Sequence, residues 1–305
     1  MGCREASLHA VPAVCCICDR PSVPSKPLGA LGFRECRHCG LVFRRDADEA
    51  ATHKVYEGGA YAEAQAVYAD AGQLDNLRRD ARVRLRWLAP HVSSGRLLDV
   101  GTAGGAFVAE AVAAGYEARG LEPTPAFARF ARDRLSLDVA EGTIESAAIR
   151  LGSLDVVTLW HVLEHLPEPR DAVGRLRETL APGGVLALEV PNFGGALAQR
   201  DGAAWGSLQP EVHVNQFSPG ALRTLLSGAG LELEELSTVP ITPYLPRVRR
   251  VDPRHVAARL KAASALRSLR TTHPTGHELL RAVARRDARP PARRAGWPSA
   301  RSRAS

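Results

Sequence analysis

The sequence predicts an α/β protein, with a mostly parallel sheet that carries helices on both faces. Residues 96–240 alternate short apolar runs with amphipathic stretches, which is typical of βαβ units. A glycine-rich turn joins the first apolar run to a helix, as in many nucleotide-binding folds. Hydrophobic residues make up 45% of the chain and charged residues 24%, as in an ordinary globular protein.

The hydrophobic periodicity places the individual elements of this sheet. Strands are predicted at residues 96–100, 118–122, 155–159 and 185–190. Helices are predicted at residues 106–114, 125–134, 169–180 and 219–228, with a Pro-Gly-Gly turn at 182–184 closing the third. An upstream helix is predicted over 64–88, and downstream helices near 254–270 and 278–286.

Composition divides the chain into four zones. They are a cysteine-rich module at 1–50, a helical linker or substrate cap at 51–95, the α/β domain at 96–240, and a basic helical extension with a disordered tail at 241–305. From Arg247 onward there are 16 Lys or Arg residues against 3 acidic ones. Such a segment is usually a solvated face, and it could also attract nucleic acid.

Targeting signals are not recognisable in the sequence. No apolar run approaches the roughly 20 residues that a membrane span requires. The first fifteen residues lack the apolar core of a signal peptide. We therefore expect a cytoplasmic protein without a membrane span.

The glycine-rich turn is the first functional signal. Asp99 lies in the predicted strand before it, and Gly101, Gly104 and Gly105 form the turn itself. Glycine allows a ligand to approach the backbone closely and permits positive φ angles. Glu122 follows Gly101 by 21 residues at the end of the next strand, where a carboxylate that binds ribose hydroxyls belongs.

These segments together resemble the class I methyltransferases that use S-adenosyl-L-methionine (SAM) and have a Rossmann-like sheet. The resemblance covers about residues 75–240, in the order and spacing typical of that family. Its motifs correspond here to residues 98–105, 120–123, 155–167 and 182–192. Ala103 departs from the pattern, because a glycine usually occupies that position.

The resemblance implies the roles of individual cofactor-binding residues. Gly101 and Gly105 would line the methionine portion of SAM with Asp99 nearby, and Glu122 would bind both ribose hydroxyls. Gly104 and Pro123 are further cofactor-binding positions. The implied adenine contacts are Thr143 and Ile144, and the residues that would close the pocket are Trp160 and His161.

A histidine–carboxylate cluster follows the predicted fourth strand. His161, Glu164 and His165 would share one face of a helical turn, and His213 is a fourth candidate catalytic residue. The cluster could bind Mg²⁺ or Mn²⁺, or one histidine could act as general base. A third possibility is that these side chains serve only as hydrogen-bond partners of buried backbone groups. It is similar to the carboxylate–histidine clusters of ubiquinone-pathway and small-RNA O-methyltransferases, although His161 replaces an acidic residue.

The cysteines predict a structural zinc site. Cys15, Cys18, Cys36 and Cys39 form two C-x2-C pairs with the spacing of a zinc ribbon. Cys16 is an alternative ligand to Cys15, and a redox pair is the rival interpretation of the motif. Together with Tyr56-x4-Tyr61, the region resembles the N-terminal module of bacterial methyltransferases that act in sugar, polysaccharide and secondary-metabolite assembly.

The sequence therefore favours SAM-dependent O-methylation of a small-molecule acceptor, with a histidine as general base. The alternative is an RNA methyltransferase whose ribbon and basic tail hold the nucleic acid. A third hypothesis is a regulator that retains the fold without activity. The sequence predicts no oligomeric state.

Overall fold

The structure, a computed structural model of the chain, describes residues 14–44, 71–240 and 277–288. The strands are β1 (Val23–Pro24), β2 (Arg34–Glu35), β3 (Val42–Phe43), β4 (Gly95–Val100), β5 (Tyr116–Glu122), β6 (Val139–Glu141), β7 (Leu154–Trp160), β8 (Leu180–Pro191), β9 (Asn215–Gln216), β10 (Leu231–Val239) and β11 (Leu279–Arg286). The α-helices are α1 (Ala71–Leu88), α2 (Ala106–Ala113), α3 (Pro125–Leu135), α4 (Pro169–Thr179), α5 (Ala196–Asp201) and α6 (Pro219–Gly228). A 3₁₀ turn at Leu163–His165 follows β7.

The central sheet has seven strands in the order β10-β11-β8-β7-β4-β5-β6. Strands β6, β5, β4, β7 and β8 are parallel to one another, whereas β11 is antiparallel to both β8 and β10. The strand order changes direction at β4, and the carboxyl ends of β4 and β7 lie on either side of that point. In open α/β sheets this is where ligands bind.

Helices cover both faces of the sheet, as the sequence predicts. Alternate residues of each strand point to opposite faces, so Val157 and Val156 of β7 belong to different apolar cores. The first core includes residues of α4 and α6, and the second includes residues of α1 and α2. The predicted strands and helices between residues 95 and 228 are confirmed, with their ends shifted by a few residues.

The helix predicted at 278–286 is wrong, because these residues form β11 in the middle of the main sheet. Leucine, alanine and arginine are good helix formers, which explains the prediction. Hydrogen bonding to β8 and β10 on both edges overrides that propensity, and both faces of the strand are buried. The predicted helix at 254–270 lies outside the described residues.

The N-terminal module forms a second, small sheet in the order β1-β2-β3-β9. Its fourth strand comes from the α/β part of the chain, with Phe43 opposite Asn215 and Val42 opposite Gln216. The module is therefore joined to the main body by strand pairing. Within the described ranges, no helix combines the length and hydrophobicity needed to cross a membrane.

Candidate active site

A cavity of about 570 Å³ lies at the carboxyl edge of the main sheet. Strands β4, β5 and β7 all end at it, and the turn after β6 completes one wall. The predicted site residues that line it are Gly101, Glu122, Pro123, Thr143, Ile144, Trp160, His161 and His165. Asp99, Gly104, Gly105, Glu164 and His213 are not among its lining residues.

The turn after β4 requires glycine at two positions. Gly101 has φ +68°, and a Cβ there would lie 2.5 Å from Cγ2 of Val162. Gly105 has φ +82°, and a Cβ there would lie 2.6 Å from Leu137 Cδ1. Gly105 therefore allows α2 to begin close to the segment after α3, whereas Gly101 forms part of the cavity wall. Ala103 has φ 49°, a left-handed conformation that the family's usual glycine would adopt without strain.

Glu122 is buried at the end of β5, with its carboxylate held by backbone groups. The amide of Ala103 donates to Oε2 at 2.8 Å, and the amide of Thr124 donates to Oε1 at 3.0 Å. Burial raises the pKa of Glu122. Each oxygen keeps a further lone pair, so the carboxylate can accept two hydroxyl groups, as a ribose offers.

Asp99 lies behind the cavity wall. Its Oδ1 accepts a hydrogen bond from Oγ1 of Thr158 on the neighbouring strand at 2.6 Å, and only 2% of the residue is exposed. Burial raises the pKa of Asp99 to about 6. The structure therefore shows Asp99 joining β4 to β7, and its contact with the cofactor stays a prediction.

His161 lies at the cavity with both ring nitrogens beside carboxylates. Nδ1 lies 3.2 Å from Oε1 of Glu164, and Nε2 lies 3.1 Å from Oε1 of Glu189. Burial alone would lower the pKa of His161, but the two carboxylates raise it to about 9. When His161 is protonated, both ring nitrogens donate to carboxylates and neither offers a lone pair, so its role as a base or metal ligand stays a prediction.

Glu189 is the centre of a charged network that the motifs did not reveal. Arg84 Nη2 donates to its Oε1 at 2.6 Å, and Arg281 Nε donates to its Oε2 at 2.8 Å. Burial opposes ionisation, yet Arg84, His161 and Arg281 hold the pKa of Glu189 well below its usual range. The sequence feature that could have revealed this network is the glutamate within the apolar run of β8, because a buried charge is normally paired with an opposite charge.

Glu164, His165 and His213 converge beside the cavity. One ligand atom from each lies within 4.8 Å of those of the other two. His165 Nδ1 lies 3.1 Å from the carbonyl oxygen of Val212, and His213 Nδ1 lies 2.9 Å from that of Ser207. A carbonyl only accepts, so in the neutral rings both Nδ1 atoms carry the proton and both Nε2 atoms carry a lone pair.

Two further observations show that this trio suits a cation. Burial lowers the pKa of both histidines, which keeps the rings neutral near pH 7. Oε2 of Glu164 is buried without a hydrogen-bond partner in the described part of the chain. Two oriented imidazoles and a carboxylate form a donor set for a divalent metal, with the backbone carbonyls fixing the rings.

The four cysteines at ribbon spacing also form one cluster. Sγ of Cys15 lies 3.6 Å from Sγ of Cys39, and Sγ of Cys18 lies 3.5 Å from Sγ of Cys36. These separations are too long for disulfides and close to the about 3.8 Å expected between thiolates around one tetrahedral ion. Sγ of Cys16 lies 3.7 Å from Oδ1 of Asn215, and the four sulfur atoms that come together are those of Cys15, Cys18, Cys36 and Cys39.

Comparison with known proteins agrees with this geometry. A family model described as a methyltransferase domain matches residues 73–236. The ubiquinone biosynthesis O-methyltransferase of Xanthomonas axonopodis pv. citri is 30% identical over 181 residues, which cover 55% of this chain and 76% of the relative. The protein of the same name from Xanthomonas campestris pv. campestris is 31% identical over 182 residues, with the same coverage.

A solved structure shares the fold. Phosphoethanolamine N-methyltransferase 2 of Haemonchus contortus, in complex with SAM, matches with a TM-score of 0.50 at 14% identity, over 68% of this chain and 52% of that one. The glycine-rich turn, the carboxylate of Glu122 and the match to the family model all indicate the same family. The chain belongs to the class I methyltransferases and is a SAM-dependent methyltransferase.

Proposed function

We propose that this enzyme methylates a hydroxyl group of a small molecule, such as a sugar, a polysaccharide precursor or a secondary metabolite. In this proposal a divalent cation is bound by Glu164, His165 and His213. The convergence of these three side chains beside the cavity carries the proposal. The named relatives are O-methyltransferases, which supports an oxygen acceptor.

The cavity suits SAM. Glu122 offers two carboxylate oxygens to the ribose hydroxyls, and Thr143 and Ile144 line the wall where we place the adenine. Bound SAM supplies an electrophilic methyl group. Apolar side chains around the cavity exclude water, so the chain contributes mainly by positioning the acceptor against that group.

The cation would contribute by favouring deprotonation of the acceptor hydroxyl. Two imidazole ligands suit Mn²⁺ better than Mg²⁺, which prefers an all-oxygen environment. His161 would act beside this centre as a fixed positive charge that orients Glu164. The four-cysteine cluster would hold zinc in a closed structural site, since all four tetrahedral positions are filled by sulfur.

The charge of the cavity wall favours a small acceptor over RNA. Among the described residues, four carboxylates line it, from Glu122, Glu145, Glu168 and Asp171, against a single arginine, Arg175. A phosphodiester chain would be repelled by such a wall, because nucleic-acid binding depends on clustered Lys and Arg. The basic stretch that suggested nucleic acid lies largely outside the described residues.

Label transfer tests the proposal. Purified enzyme would be incubated with methyl-labelled SAM and fractionated cell extract, first with a chelator and then with Mn²⁺ restored. We expect label in the small-molecule fraction, loss with chelator, and recovery with Mn²⁺. Label in RNA would contradict the proposed acceptor, and chelator-resistant activity would contradict the metal.

A matched pair of carboxylate variants sharpens the test. Glu164→Gln removes the charged ligand, and we expect at least about a 100-fold loss of rate, corresponding to roughly 2.7 kcal/mol. Glu178→Gln changes an exposed glutamate on α4 and should leave the rate unchanged. Equal activity of the two variants would exclude Glu164 from the chemistry.

A further inference from the structure

The short strand β9 belongs to both functional parts of the molecule. Its two residues pair with β3 of the cysteine module, and His213 precedes it by two positions. The backbone amide of Arg44, just after β3, also donates to the carbonyl of Val214 at 2.9 Å. The segment that carries His213 is therefore fixed by the module on one side.

Asn215 is the side chain that touches both parts. It is 2% exposed, and its Nδ2 donates to the carbonyl of Leu166 at 2.6 Å. Leu166 directly follows His165 and ends the 3₁₀ turn that carries Glu164 and His165. On the other side, Oδ1 of Asn215 accepts from the Cys16 thiol at 3.7 Å, next to Cys15 of the sulfur cluster.

The segment around β9 also orients the ring of His165 and holds the main chain of His213. The carbonyl of Val212 accepts from His165, and Gln216 Nε2 donates to the carbonyl of His213 at 3.0 Å. A displacement of β9 would therefore move His213 itself and the carbonyl that orients His165. Such contacts behind metal ligands commonly change affinity by 10- to 100-fold.

We infer that Asn215 is a positioning residue that couples the cysteine module to the Glu164–His165–His213 cluster. The inference rests on the proposed function for the metal itself, but the geometric coupling has its own readout. The module thereby supports the acceptor side, since the amide of Asn215 connects Cys16, the neighbour of Cys15 in the module, to the 3₁₀ turn that carries Glu164 and His165.

The test compares two substitutions with a control. Asn215→Asp keeps the shape and the acceptor oxygen but loses the donor to Leu166. Asn215→Ala loses both hydrogen bonds. The control, Asp19→Asn, weakens a different contact of the module, its ion pair with Arg170 on α4, and Asn tolerates the left-handed backbone at position 19.

Two measurements are made on each protein with its cysteine-bound metal in place. The first is Mn²⁺ affinity alongside SAM affinity. We expect Mn²⁺ binding to weaken by 10- to 100-fold in both Asn215 variants, with SAM affinity changed less than about twofold. The control should bind both as the wild type does.

The second measurement is the histidine tautomer, from long-range ¹H–¹⁵N spectra without added Mn²⁺. We expect His165 and His213 to carry the proton on Nδ1 in the wild type and the control, and to show mixed tautomers in the Asn215 variants. If the wild type binds no Mn²⁺, the metal proposal fails while the tautomer comparison still decides the coupling. Unchanged tautomers in both variants would overturn the inference, as would equal losses of Mn²⁺ and SAM affinity.

Discussion

At the scale of single residues, Asp99 is a motif residue that lies behind the cavity wall and does not line the cavity. The side chain is enclosed between β4 and β7, where Thr158 donates to it at 2.6 Å. A buried carboxylate with few donors is costly to ionise, which is why burial raises its pKa to about 6. The stability of the fold therefore depends on whether the carboxyl group of Asp99 is ionised.

This linkage predicts a pH-dependent effect of Asp99→Asn. In the unfolded chain an aspartate titrates near pKa 3.9, so between about pH 4 and pH 6 the folded protein binds the extra proton. The contribution of Asp99 to stability consequently falls as the pH rises through this window. Above this pH window, the free-energy cost of the ionised Asp99 to the folded state reaches at most about 3 kcal/mol, since each pKa unit corresponds to about 1.4 kcal/mol.

We expect Asp99→Asn to gain stability relative to the wild type as the pH rises, because the amide stays neutral while its oxygen still accepts from Thr158. Unfolding would be followed with urea at pH 4.5 and pH 7.5 for both proteins. The stability difference should shift in favour of the variant by about 1–3 kcal/mol between these pH values. A difference independent of pH would show that Asp99 has an ordinary pKa.

At the scale of elements, the sequence predicts the strands and helices whose structure is determined by their own residues. The runs that form β4, β7 and β8 and the helices between them are long enough to be recognised locally, and the motif residues at the ends of β4 and β7 line the cavity. Strand β9 has two residues and exists only because β3 lies beside it. Strand β11 has a helical composition and becomes a strand through its two neighbours.

The charged network illustrates the same limit for the site. Arg84, Glu189 and Arg281 belong to α1, β8 and β11, and only the strand order brings them together. No spacing in the sequence connects positions so far apart. The pairing of His161 with Glu189 therefore could not be foreseen from the sequence.

Arg281→Leu tests the importance of β11 for this network. Arg281 is 2% exposed and pairs with the fully buried Glu189, so its loss leaves a buried carboxylate short of one partner. Breaking a buried pair typically costs 3–5 kcal/mol, and we expect a destabilisation of about that size in urea unfolding. Arg119→Ala is the control, because the ion pair of Arg119 with Asp138 is exposed and should contribute less than about 1 kcal/mol. Similar small effects of both substitutions would mean that Arg84 and His161 alone neutralise Glu189.

At the scale of the whole molecule, the two sheets share one apolar core. Leu41 and Phe43 of the cysteine module belong to the same cluster of buried side chains as Phe217 and Leu222 of the main body. On the other side of the module, Leu28 packs in a cluster with residues of the segment between β8 and β9. The module is consequently part of the fold.

This shared core predicts that the loss of one cysteine ligand is felt throughout the molecule. We expect Cys39→Ser to lower the bound zinc below one equivalent and to reduce the melting temperature by about 10 °C, because metal binding and folding of such a site are coupled. Asp19→Asn is the control, because it weakens the ion pair of Asp19 with Arg170 and leaves all the cysteines and the contacts of Asn215 in place. Elemental analysis, thermal unfolding and Mn²⁺ titration of both variants measure the three effects.

If Cys39→Ser loses zinc while its melting temperature and its Mn²⁺ affinity stay at wild-type values, the module folds independently of the catalytic body. If all three fall together in Cys39→Ser and none in Asp19→Asn, then zinc, fold and acceptor site form one cooperative unit, which is what a core continuous from Cys39 to Leu222 requires.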